Sequence, residues 1–191
     1  MSELSHFTAL VRLTLQDPIA AGRAVLALAP TLEQRWILLA LASVVAALLA
    51  GVAMLLTAPA EFAPLVPGAI IQMGMSLLLV VVVYQVGRLF GGQGGFSDTL
   101  LVVGWLQVVM VIVQLPYLVA VVALPALTGV GMLIAVGGFF WVFPGLVCAL
   151  HGFESRGKVL FGALGTVFVL SFVLLVLLRS LGIEMPGMND V

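Results

Sequence analysis

The sequence predicts an all-α fold: a polytopic membrane bundle of five transmembrane helices with an N-terminal interfacial helical arm. Three observations predict it. Five apolar runs, at residues 36–57, 69–87, 100–124, 126–150 and 159–178, contain no Asp, Glu, Lys or Arg, and each is 19 to 25 residues long. At a rise of about 1.5 Å per residue, about 20 apolar residues cover a hydrocarbon core of roughly 30 Å. Second, 63% of the 191 residues are hydrophobic and only 8% are charged, where a soluble domain carries about a quarter. Third, the basic residues segregate. With an N-terminus in the cytoplasm, Arg12, Arg23, Arg35, Arg88, Arg156 and Lys158 all fall on the cytoplasmic side and only Arg179 falls outside. Short cytoplasmic loops carry the Lys/Arg excess, so five crossings place the C-terminus outside. The expected organisation is a cytoplasmic arm at 1–35, a five-span domain at 36–178 and a short extracytoplasmic tail at 179–191.

The arm holds two short helices. Phe7, Leu10, Val11 and Thr14 recur at helical spacing. Asp17-Pro18 reads as an N-cap followed by proline in the first turn. The second helix then runs to about Ala29 with Arg23 as its one charge. Such helices suit the headgroup boundary, either as a docking element or as a closure of the bundle base. Thr31 and Gln34 form an expected capping box ahead of the first span.

Along the first span, Ser43, Ala47 and Gly51 make a small-residue stripe beside Ala42, Ala46 and Ala50. Helices approach closely along such stripes, within one subunit or at the seam of a homo-oligomer. Ala58-Pro59-Ala60 mimics a signal-peptide cleavage site, but the 22-residue run before it exceeds the about 7–15 residues of a signal core. A retained span is expected. The connection to the second span is rich in proline (Pro59, Pro64, Pro67), and the third and fourth spans part near Pro125 or, alternatively, nearer Thr128-Gly129. Met185-Pro186-Gly187 opens the tail.

Polar side chains within hydrocarbon need partners and are candidate functional groups. They are Gln72 in the second span and Gln107, Gln114 and Tyr117 in the third. Neutral amides pair helices structurally or, with breaks at Pro116 and Pro144, line a solute path. Enzymatic motifs are absent from the sequence: there is no phosphate-binding loop with its lysine, and His6 and His151 are the only histidines. Cys148, His151 and Glu154 recur at three-residue intervals on one helical face, a thin basis for a metal site. No catalytic residue, metal ligand or cofactor is assigned. The net charge of −1 offers no basic patch for nucleic acid. Cys148 has no second cysteine to pair with.

The two cytoplasmic loops carry the most specific signal. The first runs Gly91-Gly92-Gln93-Gly94-Gly95-Phe96-Ser97-Asp98, a flexible glycine hinge, an aromatic and a Ser/Asp helix cap that opens the third span. The second runs His151-Gly152-Phe153-Glu154-Ser155-Arg156-Gly157-Lys158. With Asp17-Pro18, these segments resemble the Yip (Ypt-interacting protein) family in its short bacterial form, over residues from about 7 to 178. The resemblance implies a five-span integral membrane protein with a cytoplasmic N-terminus, here in the bacterial inner membrane. It implies no catalytic residue. Eukaryotic members bind small Rab-type GTPases and carry a hydrophilic leader with a Tyr/Gly/Pro motif; residues 1–35 hold no tyrosine. The expected role is a non-enzymatic scaffold or adaptor. Its interaction face would comprise Arg88, Gly91, Gly92, Gly94, Gly95, Phe96, His151, Arg156 and Lys158, meeting a membrane or cytoplasmic protein or lipid headgroups. The alternatives are a small-solute transporter or channel, and an accessory subunit of a larger membrane complex.

Overall fold

Helix follows helix through the computed structural model, which describes residues 3–57 and 65–181. The Pro-rich connection at 58–64, with the cleavage-site mimic, and the tail at 182–191 lie outside the described residues. The order is α1 (Glu3–Gln16), α2 (Pro18–Ala27), α3 (Leu32–Thr57), α4 (Leu65–Leu89), α5 (Phe96–Ala123), a 3-10 turn (Pro125–Leu127), α6 (Thr128–His151) and α7 (Arg156–Ser180). Helices α3 to α7 are each long and apolar enough to cross a membrane. They overrun the apolar stretches of the sequence at most of their ends, because the flanking polar residues continue the helical hydrogen bonding.

Local chemistry sets the boundaries. Asp17 accepts hydrogen bonds from the Ile19 and Ala20 amides at 3.1 Å, starting α2. The capping box forms ahead of α3: the Thr31 amide donates to Gln34 Oε1 at 2.9 Å, and the Gln34 amide donates to Thr31 Oγ1 at 3.3 Å. Gly152 ends α6 in the left-handed region, at φ 75°, where its amide and that of Phe153 both donate to the Cys148 carbonyl. The turn between α5 and α6 falls at Leu124–Leu127, and Pro116 lies inside α5. One expectation needs correction: Ser97 and Asp98 do not cap α5. The helix starts at Phe96 behind Gly95. Asp98 sits in the first turn, where a carboxylate favours the helix dipole, and Arg35 holds it at 2.5 Å.

The core lies at one end of the bundle, hereafter the near end, where α1 and α2 sit. Its buried residues are Leu10 of α1, Val25 of α2, Val83 of α4, Leu101 to Val109 of α5 and Val142 to Leu150 of α6, with Leu39 and Val80 in an adjoining cluster. The arm does close the base of the bundle, but it also reaches into it. Trp105 donates from Nε1 to Thr14 Oγ1 at 3.0 Å and meets the Phe7 ring edge-on. Trp141 donates to the Leu15 carbonyl at 3.0 Å. Trp105 lies nine residues into α5 and Trp141 ten residues before the end of α6, so the end of α1 is held by side chains rooted about 14–15 Å from the near ends of those helices. Two glycines allow this. A Cβ on Gly145 would lie 2.5 Å from Pro18 Cβ, and one on Gly22 would lie 2.6 Å from Ala149 Cβ. Each glycine backbone meets a neighbour's side chain at close range there, which small residues permit.

The far half is open. Large side chains point outward at Val66, Ile70 and Ile71 of α4, and at Met132, Leu133 and Ile134 of α6. Helix α7 has no buried residue and packs chiefly on α6. No tight packing is required there, because lipid tails are as apolar as leucine.

Candidate functional site

At the near end, the glycine-rich loop wraps the imidazole of His151. The sequence places three glycines around that ring: Gly87 in the last turn of α4, then Gly92 and Gly94 in the loop. A side-chain carbon on Gly92 would come 2.5 Å from His151 Nδ1, and one on Gly87 would overlap the ring. Both ring nitrogens are used. Nδ1 accepts the Gly94 amide at 3.3 Å, and Nε2 faces the Val83 carbonyl at 3.1 Å. An amide only donates and a peptide carbonyl only accepts, so the partners select the neutral ring protonated at Nε2. Phe153 stacks on the ring at 5.5 Å. The loop backbone is fastened as well: the Gly92 amide donates to the Gly87 carbonyl at 2.8 Å and the Gln93 amide to the His151 carbonyl at 3.2 Å.

This geometry corrects part of the expected interaction face. His151, Gly92 and Gly94 are buried and are unavailable to a partner. The glycines serve close approach, and only Gly91, at φ 83°, meets a backbone demand that glycine satisfies. The loop is therefore a pinned turn rather than a flexible hinge. Arg88, Leu89, Phe90, Gly91 and Gln93 remain exposed on its rim. Phe96 is exposed and meets Tyr84 edge-on at 5.7 Å, and Gly95 is half-buried. Lys158 is exposed. Arg156 turns back to the elbow, 3.3 Å from Asp17 and with its guanidinium 4.9 Å from the Trp141 ring centroid. The three residues that recur at three-residue intervals, Cys148, His151 and Glu154, fall in different environments. Cys148 is buried, the nitrogens of His151 are occupied, and Glu154 follows the helix end on an exposed loop.

The intramembrane polar residues separate into two groups. Gln107 joins Ser43 and Ser76 in a triad that ties α5 to α3 and α4. Each serine also lies 2.7 Å from a carbonyl one turn earlier, Leu39 and Gln72 respectively. Ser43 is buried within the triad, while Ala47 and Gly51 are half-buried further along α3. The stripe thus begins as a polar tie. Gln72 and Gln114 are half-buried and make no side-chain hydrogen bond among the described residues. Tyr117 packs on Gly131, where an added Cβ would lie 3.0 Å from the ring. Gln107 thus faces α3 and α4, whereas Gln114 faces the cleft with α6. The sequence reading gave no packing role to Gly22, Gly87, Trp105 or Trp141 and did not pair Arg35 with Asp98. Only the unusual depth of Trp105 and Trp141 in apolar runs was available as a signal.

Five long apolar helices and a core of apolar side chains and small-residue contacts define an integral, polytopic helical membrane protein. The sequence matches the Yip1 domain over residues 14–178. The chain belongs to that family, and the match includes the elbow, the glycine turn and all five spans. No curated protein and no solved structure matches the chain.

Proposed function

We propose that this chain is a non-enzymatic membrane scaffold or adaptor that presents the turn between α4 and α5 to a protein partner. The orientation proposed with it is that of the bacterial inner membrane, with the N-terminus in the cytoplasm and the C-terminus outside, on the arginine asymmetry. One observation carries the reading. Leu89 and Phe90 are 83% and 71% exposed, beside exposed Arg88, on a turn whose following residues are fastened to the His151 clamp. A preorganised turn loses little entropy on binding, and an apolar pair flanked by a cation suits an apolar surface rimmed with acidic groups. The transporter alternative is weakened by Gln107, whose amide is engaged on both sides within the serine triad. Replacing Phe90 by a photo-crosslinking phenylalanine in cells tests the proposal. A discrete protein adduct, lost when Leu89 and Arg88 are changed to serine, is the expected result. Adducts to lipid alone identify the turn as an interfacial anchor and refute the adaptor reading. Reporter tags at the two termini test the orientation, which fails if both lie in one compartment.

A further inference from the structure

An open, largely apolar cleft lies between α5 and α6 in the far half. It has a volume of about 420 Å³ and is lined by Met110, Val113 and Gln114 of α5 and by Ala135, Val136, Phe139 and Phe140 of α6. That volume lies within the about 300–1,000 Å³ typical of small-molecule sites. The helices run antiparallel and touch on both sides of the cleft: Tyr117 packs on Gly131 beyond it, and Val109 and Val142 are buried in the core before it. Gln114 is the one amide on its wall, and it has no hydrogen-bond partner among the described residues. A polar group left unpaired in hydrocarbon is costly, so the cleft's chemistry calls for an occupant that is apolar along most of its length and carries a small polar group.

Depth narrows the choice. Gln114 lies nine residues before the end of the 28-residue helix α5, about 14 Å along the axis. A helix of about 42 Å centred on a hydrocarbon core of roughly 30 Å extends about 6 Å past each edge. Gln114 therefore sits about 8 Å below the hydrocarbon surface. A phosphate headgroup is too strongly solvated to reach that level, whereas a hydroxyl or carbonyl can.

We propose that the cleft between α5 and α6 binds a neutral lipid whose hydroxyl or carbonyl hydrogen-bonds to Gln114 while its chain lies against Phe139, Phe140 and Met110. This is independent of the adaptor reading, which concerns the opposite end of the bundle. The test uses the full chain in vesicles, a diacylglycerol with a diazirine in one acyl chain, and a phosphatidylcholine carrying the same labelled chain. Diacylglycerol adducts are expected on peptides containing residues 110–114 and 135–140, and excess unlabelled diacylglycerol is expected to suppress them. Labelling should fall about fivefold in Gln114→Leu, the net worth of one hydrogen bond, and at least as far in Ala135→Trp, which fills the cleft. Gln72→Leu should label as the wild type does. Equal labelling by both probes overturns the proposal, as does labelling that unlabelled diacylglycerol fails to reduce. The competition arm uses only the wild-type protein and decides the question even if a cleft variant fails to fold.

Discussion

Alanine at Gly87 should destabilise this protein although alanine is the better helix former. Gly87 lies within α4 with no positive φ, so propensity alone favours the change by about 1 kcal/mol. The new methyl, however, lands on the His151 imidazole. That ring has nowhere to go: Gly92 and Gly94 approach it from the loop and Phe153 stacks on it. Overpacking of this kind costs about 1–3 kcal/mol. Expelling the ring instead forfeits the Gly94 and Val83 hydrogen bonds, each with a net worth of about 1 kcal/mol, together with the ring's burial. After the propensity gain, the cheaper of the two routes leaves a net loss of about 1 kcal/mol, up to about 2. The assay is SDS-titrated unfolding in mixed micelles, followed by circular dichroism. Gly162→Ala in α7 is the control, since nothing lies within 4 Å of its added carbon; it should be neutral or stabilising by up to about 1 kcal/mol. In the double variant Gly87→Ala, His151→Ala the methyl enters space the ring has vacated. The pair should then be less destabilised than the sum of its parts by about 1–3 kcal/mol. If Gly87→Ala matches the control, or the double variant is additive, the clamp is not the reason for glycine here.

Three further outcomes follow from the packing. Gln107→Leu should cost only about 0.5–1.5 kcal/mol in the same unfolding assay, because both serines keep a carbonyl one turn earlier as partner. Gly145→Ala should be more damaging than alanine at Gly137 or Gly138, by about 1–3 kcal/mol, since Pro18 lies 2.5 Å from its added carbon and nothing lies within 4 Å of theirs. Trp105→Phe and Thr14→Val each remove one side of their shared buried hydrogen bond, and Thr14→Val also loses the bond to the Leu10 carbonyl. A double-mutant cycle should return a coupling of about 1 kcal/mol, and zero coupling would mean that the bond does not hold the arm.

What was legible in the sequence was whatever is encoded locally. The five spans follow from uncharged runs, and the caps at Asp17 and Thr31 follow from side chains that reach their own backbone within three residues. The contacts that build the site were not legible, because each joins residues far apart in the chain. His151 meets Gly94 across 57 residues, Trp105 meets Thr14 across 91, and Trp141 meets Leu15 across 126. Asp98 illustrates the failure best. Its spacing suits a helix cap, and only the arrival of Arg35 from another helix gives it a different partner. Ser43 likewise reads as one small residue in a stripe until Gln107 and Ser76 are brought beside it.

Glycine has two opposite uses in this bundle, and they explain its uneven construction. At Gly22, Gly87, Gly92, Gly94 and Gly145, a side chain would collide with a neighbour, so glycine sets how closely the elements pack. At Gly137, Gly138, Gly162 and Gly165, nothing lies within 4 Å, so glycine sets no internal contact. The first group lies at the near end where elements pack together, and the second lies midway along α6 and on the unburied helix α7. In water such asymmetry would be unstable, because the outward leucines and phenylalanines of α6 and α7 would collapse onto each other. In hydrocarbon they gain little by doing so. The fold is therefore held where backbone contacts and polar ties can act, around His151, Asp17 and the serine triad. The remaining helix surface is left free to meet whatever apolar molecule the bilayer supplies.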